Sequence, residues 1–131
     1  MKYLLDTDIC IYVINERPKA VLERFSKHPI GDLGVSSITA AELAFGVVKS
    51  ASPRNQAALE AFLLPLQIAS YELDAAMTYG RIRADLQRRG AAIGPLDMLI
   101  AAHALSLDAV LVTNNLKEFR RVSGLRCESW A

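Results

Sequence analysis

The sequence predicts an α/β domain with its sheet covered by helices on both faces, and three features carry that prediction. Short apolar runs alternate with longer stretches of helical period along the whole chain. The clearest run, Ala109-Val110-Leu111-Val112-Thr113, is apolar on consecutive residues, as a strand covered on both faces must be. Acidic residues, finally, fall where such runs end or where the following helices begin.

The strands read in order as Tyr3-Leu4-Leu5, ending at Asp6; Leu33 to Ser36, entered through the turn Gly31-Asp32; Leu66 to Ser70; Ala109 to Thr113; and a short edge strand within Arg126-Cys127-Glu128-Ser129-Trp130. The strand beginning at Ala109 is expected to be central and parallel to the first. Pro18 opens a helix through Lys27 with Val21, Leu22 and Phe25 inward, since proline is at home in a first turn. Thr39 begins a second helix, with Leu43, Val47 and Val48 as its buried stripe. A third runs from Asn55 to Leu64 after the loop Ser52-Pro53. Asp74 to Arg89 carries Ala75, Tyr79, Ile82 and Leu86 on one face and stops at Gly90. Pro95 opens the last, with a stripe of Leu96, Leu99, Ile100, His103 and Leu107. There is no repeat, linker or low-complexity segment, so residues 1–131 form a single domain.

A hydrophobic share of 52% supplies a core for one domain of 131 residues. With 15 Lys and Arg against 14 Asp and Glu, the net charge is only +1, so any nucleic-acid contact must come from a local basic rim and not from bulk charge. Cys10 and Cys127 are far apart and match no metal-ligand spacing; both are expected to be free thiols. Asp6 interrupts the first apolar stretch well short of a signal-peptide core, and no stretch has the length of a membrane span. The expectation is a cytoplasmic protein.

The acids are informative by position. Asp6 ends the first strand; Glu42 and Asp97 lie early in helices; Asn114-Asn115 follows the strongest strand, with Glu118 three residues on. Ligands of open α/β sheets collect outside the carboxyl ends of the strands, where those positions meet. Carboxylates gathered there repel one another, and a divalent cation is their natural stabiliser. Each acid also has a plain structural reading. Thr39-x-x-Glu42 is a capping-box pattern, Asp97 complements a helix dipole, Asp8 reads as a helix N-cap, and the asparagines are turn formers. His103, on the apolar stripe of its helix, reads as a packed histidine; His28, in Lys27-His28-Pro29, as part of a solvated loop. Ser36-Ser37 lacks the glycines of a nucleophile elbow, and there is no Gly-rich phosphate loop.

Four segments together form a known pattern: Leu4-Leu5-Asp6-Thr7-Asp8-Ile9-Cys10-Ile11; Ser36-Ser37-Ile38-Thr39-Ala40-Ala41-Glu42-Leu43 with Gly46; Gly94-Pro95-Leu96-Asp97-Met98-Leu99-Ile100-Ala101-Ala102-His103-Ala104; and Val112-Thr113-Asn114-Asn115-Leu116-Lys117-Glu118-Phe119. In this order and at these separations the chain resembles the PIN-domain ribonucleases, and among them the VapC toxins of bacterial toxin–antitoxin pairs. The resemblance runs from Met1 to Trp130. It implies a PIN-like domain, a mostly parallel central sheet between helices, with Asp6 and Asp97 matching the metal-binding aspartates, Glu42 the second acidic position and Glu118 the acid before the aromatic residue. Asn115 departs from the pattern, standing where many members have aspartate.

The implied activity is endoribonuclease cleavage of structured RNA, of the tRNA or rRNA class. Mg²⁺, or Mn²⁺ in its place, suits an all-oxygen, partly hydrated pocket and acidifies a water that attacks the phosphodiester in line. The implied partners are a VapB-type antitoxin, whose Arg or Lys would plug the carboxylate pocket, and a second copy of the chain in a homodimer. Arg81, Arg83, Arg88 and Arg89, or Lys117, Arg120 and Arg121, would supply phosphate contacts, although each cluster reads equally well as a solvated helix face. Two rival readings stand. Asp6-x-Asp8 after an apolar strand suits a haloacid-dehalogenase-type phosphatase with Asp6 as nucleophile, but its later acidic metal motif is replaced here by asparagines. A catalytically inactive nucleic-acid-binding domain is the other, and the retained acids argue against it.

Overall fold

The computed structural model describes residues 1–131. Five strands, β1 (Tyr3–Leu5), β2 (Leu33–Ser36), β3 (Gln67–Ala69), β4 (Val110–Val112) and β5 (Cys127–Glu128), form one sheet in the order β3-β2-β1-β4-β5. Every neighbouring pair is parallel. The expected strands are all present. The one at Ala109 is interior and parallel to the first, but β1 itself holds the centre.

Seven helices connect them: α1 (Thr7–Ile14), α2 (Lys19–Ser26), α3 (Ser37–Ser50), α4 (Pro53–Leu63), α5 (Leu73–Arg88), α6 (Pro95–Ser106) and α7 (Leu116–Phe119). The side-chain period of two divides the core between the two faces of the sheet. Leu4 and Leu111 pack with Ile82, Leu86, Met98, Ile100 and Phe119 of α5, α6 and α7. Leu5 and Val112, the next residues, pack with Ile9, Val13, Val21, Leu43 and Leu59 of α1 to α4. Burial on both faces is why these strands read as continuous apolar runs. Gly34 of β2 is required by close packing, because a Cβ there would stand 2.6 Å from Met1 Cε and 2.9 Å from the Gln67 carbonyl.

Several local expectations are corrected. Helix α3 begins at Ser37, not Thr39, because Ser36 supplies the cap: its Oγ accepts the Ile38 N–H at 3.0 Å. Thr39 is buried, and Glu42 is released from the capping box. Val48 is 75% exposed and not part of the inner stripe of α3, while Leu96 and Leu107 of α6 are also exposed. Ser52 caps α4, which starts at Pro53. The whole of α1 follows directly on Asp6, which caps it in place of Asp8. His28 is not solvated: its ring stacks on Trp130 at 5.0 Å and lies 4.7 Å from Tyr3, in a clasp between the C-terminus and β1.

Candidate active site

The parallel register carries three polar side chains to one edge of the sheet. Leu4 pairs with Gly34 and Leu5 with Val112, so the next steps set Asp6 between Ser36 and Thr113. Alternation points all three to the face that carries α6. Asp6 is 7% exposed, with both carboxylate oxygens occupied. Oδ1 accepts the Thr7 N–H at 2.9 Å, which also caps α1, and Oδ2 accepts the Thr113 hydroxyl at 2.8 Å. These bonds favour the anion, yet burial first and the Asp8 charge next raise the Asp6 pKa to about 6.

Glu42 and Asp97 face it from the second turn of α3 and the first turn of α6. Glu42 Oε1 accepts the Thr7 hydroxyl at 2.9 Å, so a single threonine beside Asp6 also holds Glu42. Asp97 has its pKa raised to about 7, by burial and then by the charges of Glu118, Asp6 and Glu42. Its neighbour Glu118 is held below its usual value, chiefly by the Gly94 N–H donating to Oε1 at 2.7 Å. Asn115 Nδ2 donates to the other Glu118 oxygen, and Asp97 keeps the proton of the pair. Asp8 ties the first turn of α1 to the loop after β4, accepting the Ile9 N–H at 2.7 Å and the Asn114 N–H at 3.0 Å.

An open cleft of about 300 Å³ is lined by Asp6, Thr7, Asp8, Ile11, Glu42, Asp97 and Asn115. Four of the five residues expected at the site, Asp6, Glu42, Asp97 and Asn115, therefore meet in one place. Glu118 is not among the residues that line the cleft and acts on it through the charge it sets against Asp97. No three of the acids lie close enough, as their side chains stand, to share an ion. The donor chemistry nonetheless fits a hard divalent cation: the groups lining the cleft offer carboxylate, amide and hydroxyl oxygens, and burial first and neighbouring acids next raise the pKa of Asp6 and Asp97, a cost that a cation would relieve.

The PIN domain family matches residues 3–125. The chain belongs to this family. Curated relatives place it among the VapC ribonucleases. It is 45% identical to the tRNA(fMet)-specific endonuclease VapC of Shigella flexneri, across 100% of this chain and 99% of the relative. It is 50% identical to ribonuclease VapC2 of Haemophilus influenzae, across 99% and 98%. Among solved structures, DNA-bound VapBC from Salmonella typhimurium superposes with a TM-score of 0.94 at 44% identity, covering 100% of this chain and 99% of that one. VapBC2 from Rickettsia felis, bound to a promoter DNA fragment, gives 0.87 at 41% identity, covering 100% of both. The expected PIN fold and VapC kinship are thus established, and the phosphatase reading falls away.

Sequence reasoning about this PIN domain missed the residues that hold the acids. Thr7 and Thr113 each contact an acid through the hydroxyl, and Gly94 does so through its backbone N–H. Thr7 lay next to a quoted acid, which was the only available signal. The arginines of α5 answer mainly to their own helix, with Arg88 and Arg89 paired to Asp85 and Arg83 donating to the Tyr79 hydroxyl. In the second cluster Arg121 donates to the Ala92 carbonyl and its charge acts on Glu118, while Lys117 and Arg120 are exposed and unpaired.

Proposed function

We propose that this VapC-type protein is the toxin of a toxin–antitoxin pair, a Mg²⁺-dependent endoribonuclease acting on structured RNA, with tRNA as its first candidate substrate. The single observation that carries the reading is the convergence of Asp6, Glu42 and Asp97, from the first two turns of three different helices and their caps, on one cleft where burial and mutual repulsion raise the pKa of two of them. Asp6 and Asp97 would hold the ion, with Glu42 and Glu118 completing the acidic wall and Asn115 offering at most its amide oxygen. When bound, the ion supplies countercharge at the phosphate and a more acidic water, and Mn²⁺ has the same ligand preference. Asp6 is fixed by Thr7 and Thr113 and meets the substrate already oriented. Lys117 and Arg120, exposed on and just after α7, would offer free cations to the RNA backbone. The tRNA preference draws on the name of the Shigella flexneri relative.

The same reading supplies two protein partners. A groove lined by Ile11, Ile14, Leu43, Val47 and Leu59 shares Thr7 and Glu42 with the acidic cleft. A VapB-type antitoxin segment with apolar residues followed by Arg or Lys would fill the groove and plug the carboxylates. Exposed Phe45 and Val48 of α3, Leu73 and Met77 of α5 and Leu96 of α6 lie on helices that pack together, an apolar surface suited to a second copy in a homodimer. No helix is long and apolar enough to cross a membrane, and a cytoplasmic setting is part of the proposal.

The test is purified protein against total cellular RNA with Mg²⁺, with Mn²⁺, with EDTA, and as Asp6→Asn. Discrete cleavage of a tRNA that requires the metal and Asp6 is the expected result. Metal-independent degradation, or none by the intact protein, would refute it.

A further inference from the structure

We infer that His103 is a positioning residue for the proposed cleavage: its hydrogen bond to Ser36 ties the start of α3 to the middle of α6, and so fixes Glu42 against Asp6 and Asp97. The inference rests on the nuclease reading above. His103 is 1% exposed, and its Nδ1 lies 2.7 Å from Ser36 Oγ across the face of the sheet that carries the site. Ser36 Oγ already accepts the Ile38 N–H as the cap of α3, which leaves its own proton for the imidazole. One hydroxyl thereby serves two helices. Ser36 stands six residues before Glu42, and His103 six residues after Asp97, about 9 Å along the helix axis.

The contacts around the ring support a placement role. Tyr71 packs edge-on against it at 4.9 Å and donates its hydroxyl to the Leu99 carbonyl at 3.0 Å, so α6 is gripped at two successive turns below Asp97. His103 Nε2 makes no well-formed hydrogen bond, although the Ser70 backbone lies near enough to act on the ring. An apolar side chain of similar size would remove that nitrogen but leave the buried Ser36 hydroxyl without an acceptor, so the bond to Ser36, and not packing, is what selects histidine here. The Ser70 backbone and the Asp74 carboxylate favour a charged ring, but burial outweighs them and lowers the His103 pKa, keeping the imidazole neutral and able to accept from Ser36. The two helices joined in this way carry acids that make no direct bond to each other in the structure, and displacements of about 1 Å in such sites cost up to about a hundredfold in rate.

The experiment uses the full chain in four forms: His103→Leu, Ser36→Gly (glycine is tolerated at an N-cap), the two combined, and His103→Asn, whose amide oxygen reaches the position of Nδ1. Melting temperature, RNA cleavage and Mn²⁺ affinity by calorimetry are measured on each. His103→Leu is expected to melt within a few degrees of wild type, since losing the unsatisfied Nε2 offsets leaving the buried Ser36 hydroxyl without an acceptor, while kcat falls about tenfold, KM stays within about twofold and Mn²⁺ binding weakens. Ser36→Gly should lose the same amount, the combined variant no more than either alone, and His103→Asn should recover most of it. Wild-type kcat and Mn²⁺ affinity in His103→Leu would overturn the inference, as would losses that multiply in the combined variant. If the wild-type protein cleaves no RNA, the nuclease reading fails, and the Mn²⁺ comparison alone decides the role of His103.

Discussion

The two aspartates that face each other across the cleft are held in different ways. Asp6 sits at a strand end, buried, with one oxygen bonded to a backbone N–H and the other to the Thr113 hydroxyl. Asp97 sits in the first turn of α6, half-buried, with no hydroxyl or backbone donor of its own and a proton shared with Glu118. Asp6 is fixed before anything binds, whereas Asp97 has only another acid for company and, in the proposed site, would be the mobile jaw. A site built of one fixed and one adjustable carboxylate presents a set position to a ligand and still closes around it. The difference also divides the electrostatics, since burial dominates at Asp6 while three acidic neighbours add to it at Asp97.

Removing either jaw is expected to have the largest effect. Asp6→Asn and Asp97→Asn should each lower RNA cleavage by at least about a hundredfold while the circular-dichroism spectrum is unchanged. The comparison sharpens in the metal-free melting temperature at pH 7.5, which should hold or rise in Asp97→Asn because a repelled charge is lost. Asp6→Asn should gain less, since the amide cannot accept from both Thr7 and Thr113. A clear fall in the melting temperature of Asp97→Asn would mean that its carboxylate is structurally paired, against the mobile role.

The pH dependence follows with its sign fixed by the raised values. Both acids titrate near 3.8 when unfolded and at about 6 and about 7 when folded, so over that window the folded state binds protons that the unfolded state has lost. Metal-free stability therefore falls as pH rises from about 4 towards 7, by on the order of 2 kcal/mol for buried Asp6 alone. Chemical denaturation in EDTA at pH 4.5, 6 and 7.5 should show that decline, and Asp97→Asn should flatten its upper half. A profile that rises steadily across the window would contradict the placement of these protons. Metal affinity runs the other way and should strengthen through pH 6 to 7, as the ion displaces protons.

Glu42→Gln tests a smaller matter, the release of Glu42 from capping. Because Ser36 caps α3, the amide should cost little stability, within about 0.5 kcal/mol, while cleavage falls about tenfold or more. A marked loss of stability with activity intact would return Glu42 to a structural role.

How far the sequence revealed this arrangement depends on the range of each interaction. Strand positions were legible because burial on both faces leaves consecutive apolar residues at 3–5 and 110–112 and, with a glycine between, at 33–35. Asp6, Glu42 and Asp97 were legible as neighbours because strand ends and helix starts of one sheet share an edge. The start of α3 was misplaced by two residues because Ser36, Ser37 and Thr39 are all competent caps, and only the end of β2 decides among them. Val48 is apolar, but five residues turn it about 140° from Leu43, off the buried stripe and into solvent. Thr113 and Asp6 are 107 residues apart, and no local pattern records their bond. The same is true of Ser36 and His103, separated by 67 residues, where spacing correctly read a packed histidine but not its partner.

The smallest expected effect concerns Asn115, the departure from the family pattern, and it bears directly on the mobile jaw. Its side-chain amide donates to Glu118, and Glu118 in turn holds the proton on Asp97. Asn115→Asp replaces that donor with a charge. Without metal the new carboxylate repels Glu118, so the cluster should bind a further proton and the melting temperature at pH 7.5 should fall slightly. With metal the added oxygen charge should tighten binding, since affinity for hard cations rises with the number of charged ligands. A gain of about three- to tenfold is expected by calorimetry, on the order of 1 kcal/mol. Wild type, Asp97→Asn and Asn115→Asp should be titrated together with Mn²⁺, with cleavage assayed in parallel. If Asn115→Asp binds no more tightly while Asp97→Asn loses binding, the ion sits between Asp6 and Asp97 beyond reach of residue 115, and asparagine there serves only to hold Glu118. If Asp97→Asn keeps wild-type affinity, the ion lies elsewhere and the two-jaw arrangement is wrong.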